Sequence, residues 1–354
     1  MISSKLKSLN YTIHLGHKSL KDLSAFLLKK KHSCYFILCD ENTLQNCLPT
    51  LITACPALSS AEIIEIESGE QSKSLEFSSN IWQTLLENMA DKNSLLINLG
   101  GGVVSDLGGF TASVYKRGID FLNIPTSLLA MADASVGGKT GIDFSGIKNV
   151  IGSFSQPKAV FIFPPFLNSL SERHFQNGMA EIYKIALVSD KKLWKLLETK
   201  KSPIDLILLK SIEHKNKIVL KDPFDQGVRK TLNFGHTIGH AIESLFFGTP
   251  NELLHGEAVF IGMIMEAHLS WQKKMITKKE LGEITKILNE AFYSPAIDDS
   301  AFEPMMELIA NDKKTSQKKL LFSLLSSIGS SKYNIEITAT QIKKAFQFYN
   351  AINQ

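Results

Sequence analysis

Apolar positions in the first half of the chain fall into two alternating textures. Residues 11–15, 33–39, 63–66, 94–99, 121–124 and 159–162 form short apolar runs that read as strands. Ser94-Leu-Leu-Ile-Asn-Leu99 is apolar almost throughout, as a strand covered on both faces should be. Between these runs, residues 20–30, 75–89 and 103–115 read as helices, 75–89 being amphipathic. Alternation of strand and helix predicts an α/β domain with a mainly parallel sheet covered on both faces. Ligands in such domains sit beyond the carboxyl ends of the strands.

After Pro164-Pro165 the pattern changes. Helical periodicity runs through 170–188, 191–198, 203–220, 230–246, 255–275, 278–289, 301–311 and 338–349, with one apolar stretch, 320–326, that suits a short strand. The predicted organisation is an α/β domain over 1–165 and an all-α domain over 166–354, with the active site in the cleft between them. No low-complexity stretch or internal repeat is visible.

Composition narrows the class only slightly. At 354 residues the chain is long enough for two cores. Its 44% hydrophobic and 21% charged residues are ordinary for a soluble globular protein, and a net charge of +4 does not argue for nucleic acid or a membrane surface. No run approaches the ~20 apolar residues of a membrane span, and Met1-Ile-Ser-Ser-Lys-Leu-Lys lacks the apolar core of a signal peptide. The four cysteines, Cys34, Cys39, Cys47 and Cys55, make no C-x-x-C pair and read as buried thiols in a reducing cytosol.

Two local patterns carry chemistry. Gly100-Gly101-Gly102 follows a strand and opens a helix. That arrangement lets backbone N–H groups approach an anion at a helix N-terminus. It is not the spaced G-x-G-x-x-G fingerprint, so a tight packing turn remains the alternative. The second pattern is Asn233-Phe-Gly-His-Thr-Ile-Gly-His240 followed by His255-Gly-Glu257. Histidines at i and i+4 share a helix face, and a third in a glycine-containing motif can reach the same point, as divalent-metal ligands do. Spacing alone makes His236 and His240 joint ligands with His255. Nucleotide and metal together suggest redox chemistry on an alcohol.

Five longer motifs then occur in order. They are Gly100-Gly-Gly-Val-Val-Ser-Asp-Leu-Gly-Gly109, Pro125-Thr-Ser-Leu-Leu-Ala-Met-Ala-Asp-Ala-Ser-Val-Gly-Gly-Lys-Thr140, Asn177-Gly-Met-Ala-Glu-Ile-Tyr-Lys184, Leu232-Asn-Phe-Gly-His-Thr-Ile-Gly-His240 and His255-Gly-Glu-Ala258. Together they closely resemble the 3-dehydroquinate synthase family of sugar phosphate cyclases, over about residues 10–345. The resemblance implies a Rossmann-like N-terminal domain, a helical C-terminal domain, bound NAD, a zinc-type divalent ion with Co2+ as the alternative, and a cytoplasmic homodimer. It implies conversion of 3-deoxy-D-arabino-heptulosonate 7-phosphate to 3-dehydroquinate and phosphate, in the shikimate pathway towards aromatic amino acids. NAD takes a hydride from C5 and later returns it. The intervening ketone acidifies C6, so phosphate can leave, and an aldol step closes the ring.

The resemblance places the metal on Glu181, His236 and His255, and gives His240 proton transfer beside the substrate phosphate. Lys139, Lys148, Lys184, Lys215 and Arg229 are the matching cations, with Asp133, Asn149, Asn177 and Asn233 as polar partners. Lys139, Asn149 and Arg229 are expected at the substrate carboxylate and Asn233 at the phosphate, through charge-assisted hydrogen bonds. Arg117 matches an arginine that reaches the neighbouring subunit's site, and Lys314, with Lys313 as the alternative, a late phosphate contact. The implied NAD set is Asp40, Asn42, Glu70, Lys73, Gly101, Gly102, Val103, Asp106, Thr126, Ser127, Lys148, Phe166 and Ser169. A carboxylate at Asp40 would favour NAD over NADP.

There are two departures from the family pattern. Asp225 stands where the family usually has an acid–base glutamate, and Ile147 where it often has glycine. The competing readings are a sister cyclase of the 2-deoxy-scyllo-inosose synthase type and a metal-dependent polyol dehydrogenase.

Overall fold

The computed structural model describes residues 2–292, 295–312 and 319–353; Lys313 and Lys314 lie outside the described residues. The chain folds as two compact units, Met1–Phe175 with Pro203–Phe224, and Gln176–Ser202 with Asp225–Gln354. It therefore leaves the first unit ten residues later than the expected boundary at 165, and returns to it once. No helix among the described residues is long and apolar enough to cross a membrane.

In chain order the first unit holds β1 (Ser3–Lys7), β2 (Thr12–Gly16), α1 (Ser19–Lys29), β3 (Tyr35–Asp40), α2 (Glu41–Asn46), α3 (Leu48–Ala54), β4 (Glu62–Ile66), α4 (Leu75–Glu87), β5 (Leu95–Gly100), α5 (Gly102–Val114), β6 (Asp120–Pro125), β7 (Lys139–Phe144), β8 (Ile147–Phe154) and β9 (Ala159–Ile162). Seven strands form one sheet in the order β1-β2-β9-β6-β5-β3-β4, parallel except for β1 on β2. All six residues of β5 are buried, as its apolar run predicts for a central strand. From β3 the chain steps out to β4, then crosses to the other side of β3 to form β5. Such a reversal opens a crevice at the strands' carboxyl ends. The register from Tyr35↔Leu95 through Leu38↔Asn98 brings Asp40 and Gly100, the ends of β3 and β5, to that crevice.

Two glycines let α5 press onto its neighbours: a Cβ at Gly108 would run into the Asn98 side chain, and one at Gly109 into Thr140. The β7–β8 hairpin has no counterpart among the elements expected from the apolar pattern. Its turn, Ser145 (φ 51) and Gly146 (φ 76), has two positive φ values, as tight hairpin turns require. Asp143 N donates to Lys73 O at 2.8 Å, tying this hairpin to the loop before α4.

Two helices follow, α6 (Glu172–Ser189) and α7 (Lys191–Glu198), before α8 (Ile204–Lys221) rejoins the first unit. There Asn216 Nδ2 donates to Lys7 O at 2.7 Å, and Lys215 pairs with Asp133 Oδ1 at 2.7 Å. The second unit continues with α9 (His236–Phe246), α10 (His255–Gln272), α11 (Lys278–Ala291), α12 (Phe302–Asp312), β10 (Leu320–Ser327), β11 (Ser330–Ile337) and α13 (Ala339–Asn353). Helix α10 is buried nearly all round, the mark of a central helix.

One expectation needs correction here. The helix read over 230–246 is broken: Val228–Asn233 is a 3-10 turn, and Gly235 adopts φ +80 before α9 begins. Glycine adopts that left-handed conformation most readily, and a Cβ at Gly235 would press on Met263 of α10. The second unit is otherwise helical, apart from the antiparallel hairpin of β10, which falls on the apolar stretch expected at 320–326, and β11. Strand β11 is mostly exposed and so carries little apolar signal.

Candidate functional site

In the second unit, three helices converge on one point. Glu181 lies inside α6 and is 1% exposed. Its Oε1 is 3.4 Å from His236 Nε2 and 3.5 Å from His255 Nε2. His240, one turn along α9 from His236, completes a cluster of three imidazoles whose ligand atoms lie within 4.8 Å of one another. Lys184, one turn along α6, pairs with Glu181 Oε2.

Both histidine helices begin where side-chain acceptors hold them, buried at α9 and half-buried at α10. Glu266, fully buried in α10, accepts Gly235 N at 2.7 Å and Ile238 N at 3.2 Å, satisfying donors that a helix start leaves unpaired. At the start of α10, Gly256 N donates to Asn177 Oδ1 at 2.5 Å, and Leu254 N to Glu257 Oε2 at 2.7 Å. Asn177, expected among the substrate's partners, thus has its amide oxygen on the helix that carries His255. The outer nitrogens of the imidazoles are also engaged: His236 Nδ1 lies 3.2 Å from Phe234 O, and His255 Nδ1 lies 3.2 Å from Glu243 Oε2.

The electrostatics follow from this packing. Burial opposes charge on Glu181, but Lys184 and the imidazoles outweigh it and hold its carboxyl well below the usual range. Burial and the Lys184 ammonium depress His236. Burial opposes charge on His255 too, yet Glu181 and Glu243 push it up to about 9.

In the first unit, part of the other expected set, from Asp40 to Gly102, lies at or next to the ends of β3 and β5. Asp40 Oδ1 accepts Thr43 N at 2.8 Å and so caps α2, while Asn42 is exposed in its first turn. Glu41 accepts Ser68 N at 2.8 Å and Ser68 Oγ at 2.5 Å, which fixes the start of the loop holding Glu70 and Lys73. Lys73, 5% exposed, reaches Asp106 Oδ2 at 2.8 Å and Glu70 Oε1 at 3.7 Å; Lys148 lies 4.0 Å from the same Glu70 oxygen. Burial works against the Lys73 ammonium, but Asp106 and Glu70 hold its pKa above the ordinary lysine value. Thr126 N donates to Gly100 O at 3.0 Å, and Ser127 Oγ accepts Ala130 N at 3.2 Å. Gly101 caps α5 and Gly102 is its first residue, followed by half-buried Val103. Phe166 is buried, and Ser169 Oγ donates to its carbonyl at 3.2 Å.

The remaining expected residues stand elsewhere along the chain. Lys139 is exposed at the start of β7, and Asn149, exposed on β8 with φ 54, donates its N–H to Asp143 Oδ1 at 2.7 Å. Arg229 is buried in the turn before α9, Asn233 is exposed at its end, and Asp225 is half-buried with φ 57. Arg117 is exposed in a loop where Lys116 (φ 48), Arg117 (φ 63) and Gly118 (φ 105) are consecutively left-handed. Sequence reasoning missed Glu243 and Glu266. The only signal for Glu243 was its position seven residues after His236, two turns along the same face.

Comparison with known proteins bears on the family and the fold. The 3-dehydroquinate synthase N-terminal family model matches residues 63–177, and the C-terminal family model matches residues 178–315. The 3-dehydroquinate synthase of Parabacteroides distasonis is 39% identical over 94% of this chain and 96% of its own length. That of Helicobacter pylori strain 26695 is 42% identical over 92% of each. Among solved structures, 2-epi-5-epi-valiolone synthase from Streptomyces hygroscopicus, with NAD+ and Zn2+ bound, superposes with a TM-score of 0.84 at 26% identity, covering 99% of this chain and all of that one. A 2-deoxy-scyllo-inosose synthase complexed with carbaglucose-6-phosphate, NAD+ and Co2+ gives 0.85 at 20% identity, covering 98% of this chain and all of that one, a likeness of fold. With both family models matching in order and relatives this similar along nearly their whole length, the chain belongs to the 3-dehydroquinate synthase family.

Proposed function

We propose that this chain carries out the family's reaction, 3-deoxy-D-arabino-heptulosonate 7-phosphate to 3-dehydroquinate and phosphate, with NAD held by the first unit and a divalent ion held by Glu181, His236 and His255. The observation that carries this reading is the approach of both Nε2 atoms to one buried carboxylate oxygen, at 3.4 and 3.5 Å. Nitrogen and oxygen ligands at 2.0–2.1 Å from a tetrahedral ion lie about 3.3–3.4 Å apart, so the donor set fits zinc. Acceptors on the far nitrogens suit a metal site as well. The solved relative with Zn2+ and the one with Co2+ point the same way.

The glycine turn fits the NAD pyrophosphate. A Cβ at Gly101 or Gly102 would make only ordinary contacts, at 3.4–3.5 Å, and neither residue has a positive φ. Nothing in the fold itself therefore demands glycine there. A bare helix N-terminus at the sheet's switch point suits an anion. Asp40 at the end of β3 supports NAD over NADP.

When bound, NAD supplies a reversible hydride acceptor and the ion supplies Lewis acidity. The chain's own groups do the rest. Lys184, Lys215 and Arg229 supply positive charge for an anionic substrate, and Lys139, Asn149 and Arg229 recognise its carboxylate. His240 moves a proton beside the phosphate, next to Asn233, and Asp225 takes the acid–base role of the family glutamate. That recognition set favours this reaction over a sister cyclase whose substrate lacks a carboxylate. A second copy of the chain is proposed as partner, with Arg117 serving its neighbour's site. The cytoplasm is proposed as the compartment. Four free cysteines support it, with burial pushing the Cys39 and Cys47 thiols up to about 12.

The test is phosphate release from the heptulosonate phosphate with catalytic NAD. Many turnovers per NAD are expected, lost after EDTA and regained with Zn2+ or Co2+. No release from protein holding both cofactors would overturn the reading in favour of another sugar phosphate.

A further inference from the structure

Helix α9 contributes more to the cluster than His236 and His240. Two turns beyond His236, on the same face, stands Glu243, 5% exposed. Its Oε2 is 3.2 Å from His255 Nδ1. A carboxylate in its ionised form only accepts hydrogen bonds, so Nδ1 carries the proton and donates it to Glu243. With Nδ1 committed to that proton, Nε2, the nitrogen 3.5 Å from Glu181 Oε1, is the one whose proton a divalent ion would displace. His236 is supported differently, by the neutral carbonyl of Phe234. The two imidazoles thus differ in what stands behind them, a charged acceptor for His255 and an uncharged one for His236.

We propose that Glu243 is a positioning residue for the divalent ion. It fixes the tautomer and ring direction of His255 and makes Nε2 the stronger donor of the two imidazoles. The inference rests on the metal reading above. It assigns Glu243 no contact with substrate or ion. Carboxylates behind a ligating histidine typically account for a 10–100-fold difference in metal affinity.

Glu243→Gln keeps the volume and one acceptor oxygen but loses the charge, whereas Glu243→Ala loses both. Metal-free full-length protein is titrated with Co2+ against a chromophoric chelator, with wild type and His236→Ala as references. Melting of the metal-free proteins and the visible spectrum of bound Co2+ are recorded alongside. We expect one Co2+ per wild-type chain, a Kd raised about tenfold in Glu243→Gln and up to about a hundredfold in Glu243→Ala. The Co2+ bands should shift in both variants. Wild-type affinity and an unshifted spectrum in Glu243→Gln would overturn the proposal and leave the metal site standing, even if melting fell, because that is what a purely structural glutamate would give. Failure of wild type to bind Co2+, or undiminished binding by His236→Ala, would overturn the metal reading itself, and this proposal with it.

Discussion

A methyl group added at Gly102 would meet Ala134 Cβ and Leu129 Cδ2 at 3.5 Å, an ordinary contact. At Gly100 the same group would run into the Val104 side chain. The neighbours thus differ in kind: Gly100 is required by packing and Gly102 is not. Alanine is also the better helix former, by up to about 1 kcal/mol. Gly102→Ala should therefore unfold at equal or slightly higher urea concentration, yet bind NAD at least tenfold more weakly by calorimetry. Unchanged NAD affinity would remove Gly102 from the cofactor site. At Asp225 the left-handed backbone, φ 57, is a conformation that aspartate accepts more readily than glutamate. Asp225→Asn keeps shape and removes the proton-carrying group, so kcat should fall by about 10²–10⁴ with little change in KM. Normal turnover would mean that Asp225 carries no proton in the reaction. The metal-type cluster was legible at this scale because histidines are few and their spacing is diagnostic. Glu243 and Glu266 were not, because a glutamate on a helix reads as a solvated face until its burial is known.

At the scale of elements, helix α10 shows how the second unit is held and where it is acid-sensitive. His268 on α10 stacks on Phe348 of α13 with ring centroids 4.4 Å apart, and its Nδ1 lies 3.0 Å from Gln272 Nε2. Burial drives its pKa down to about 4 from 6.5. The folded state therefore refuses a proton that the unfolded chain accepts as pH falls through 6.5. Stability is lost progressively down to about pH 4, by roughly 3 kcal/mol for a shift of this size. His268→Phe keeps the stack and removes the titration. The difference in urea midpoint between variant and wild type should widen in favour of the variant from pH 7 to pH 4. A constant difference would show that His268 does not titrate in that interval. Most strands and helices were legible because burial on one face imposes a period. The period fails at Gly235, where a conformational requirement interrupts an apolar pattern that still looks helical. It fails also at β8 and β11, whose exposed residues alternate too weakly to announce a strand.

At the scale of the whole molecule, two exposed features of the first unit bear on how many chains make a complete site. The β7–β8 hairpin exposes Phe144, Ile147, Val150 and Phe154, each between 46% and 59% accessible. Ser113 Oγ lies 2.9 Å from Ser153 Oγ, joining the end of α5 to this hairpin. Immediately after α5 comes the left-handed loop that exposes Arg117. Two consecutive non-glycine residues with positive φ are costly, at about 1–2 kcal/mol each, and solvent exposure of an arginine gives no return for that cost. Apolar cover by a second copy, with Arg117 directed into that copy's site, would account for both features. Complementation tests this directly. Arg117→Ala and His240→Ala should each be nearly inactive alone. After subunit exchange at equal amounts, about half of the dimers are mixed, and one of the two sites in each has an intact His240 and receives an intact Arg117. Activity should then recover to about a quarter of wild type. If Arg117 serves only its own chain, the mixture will do no better than the two variants measured separately, and the exposed hairpin will need another explanation.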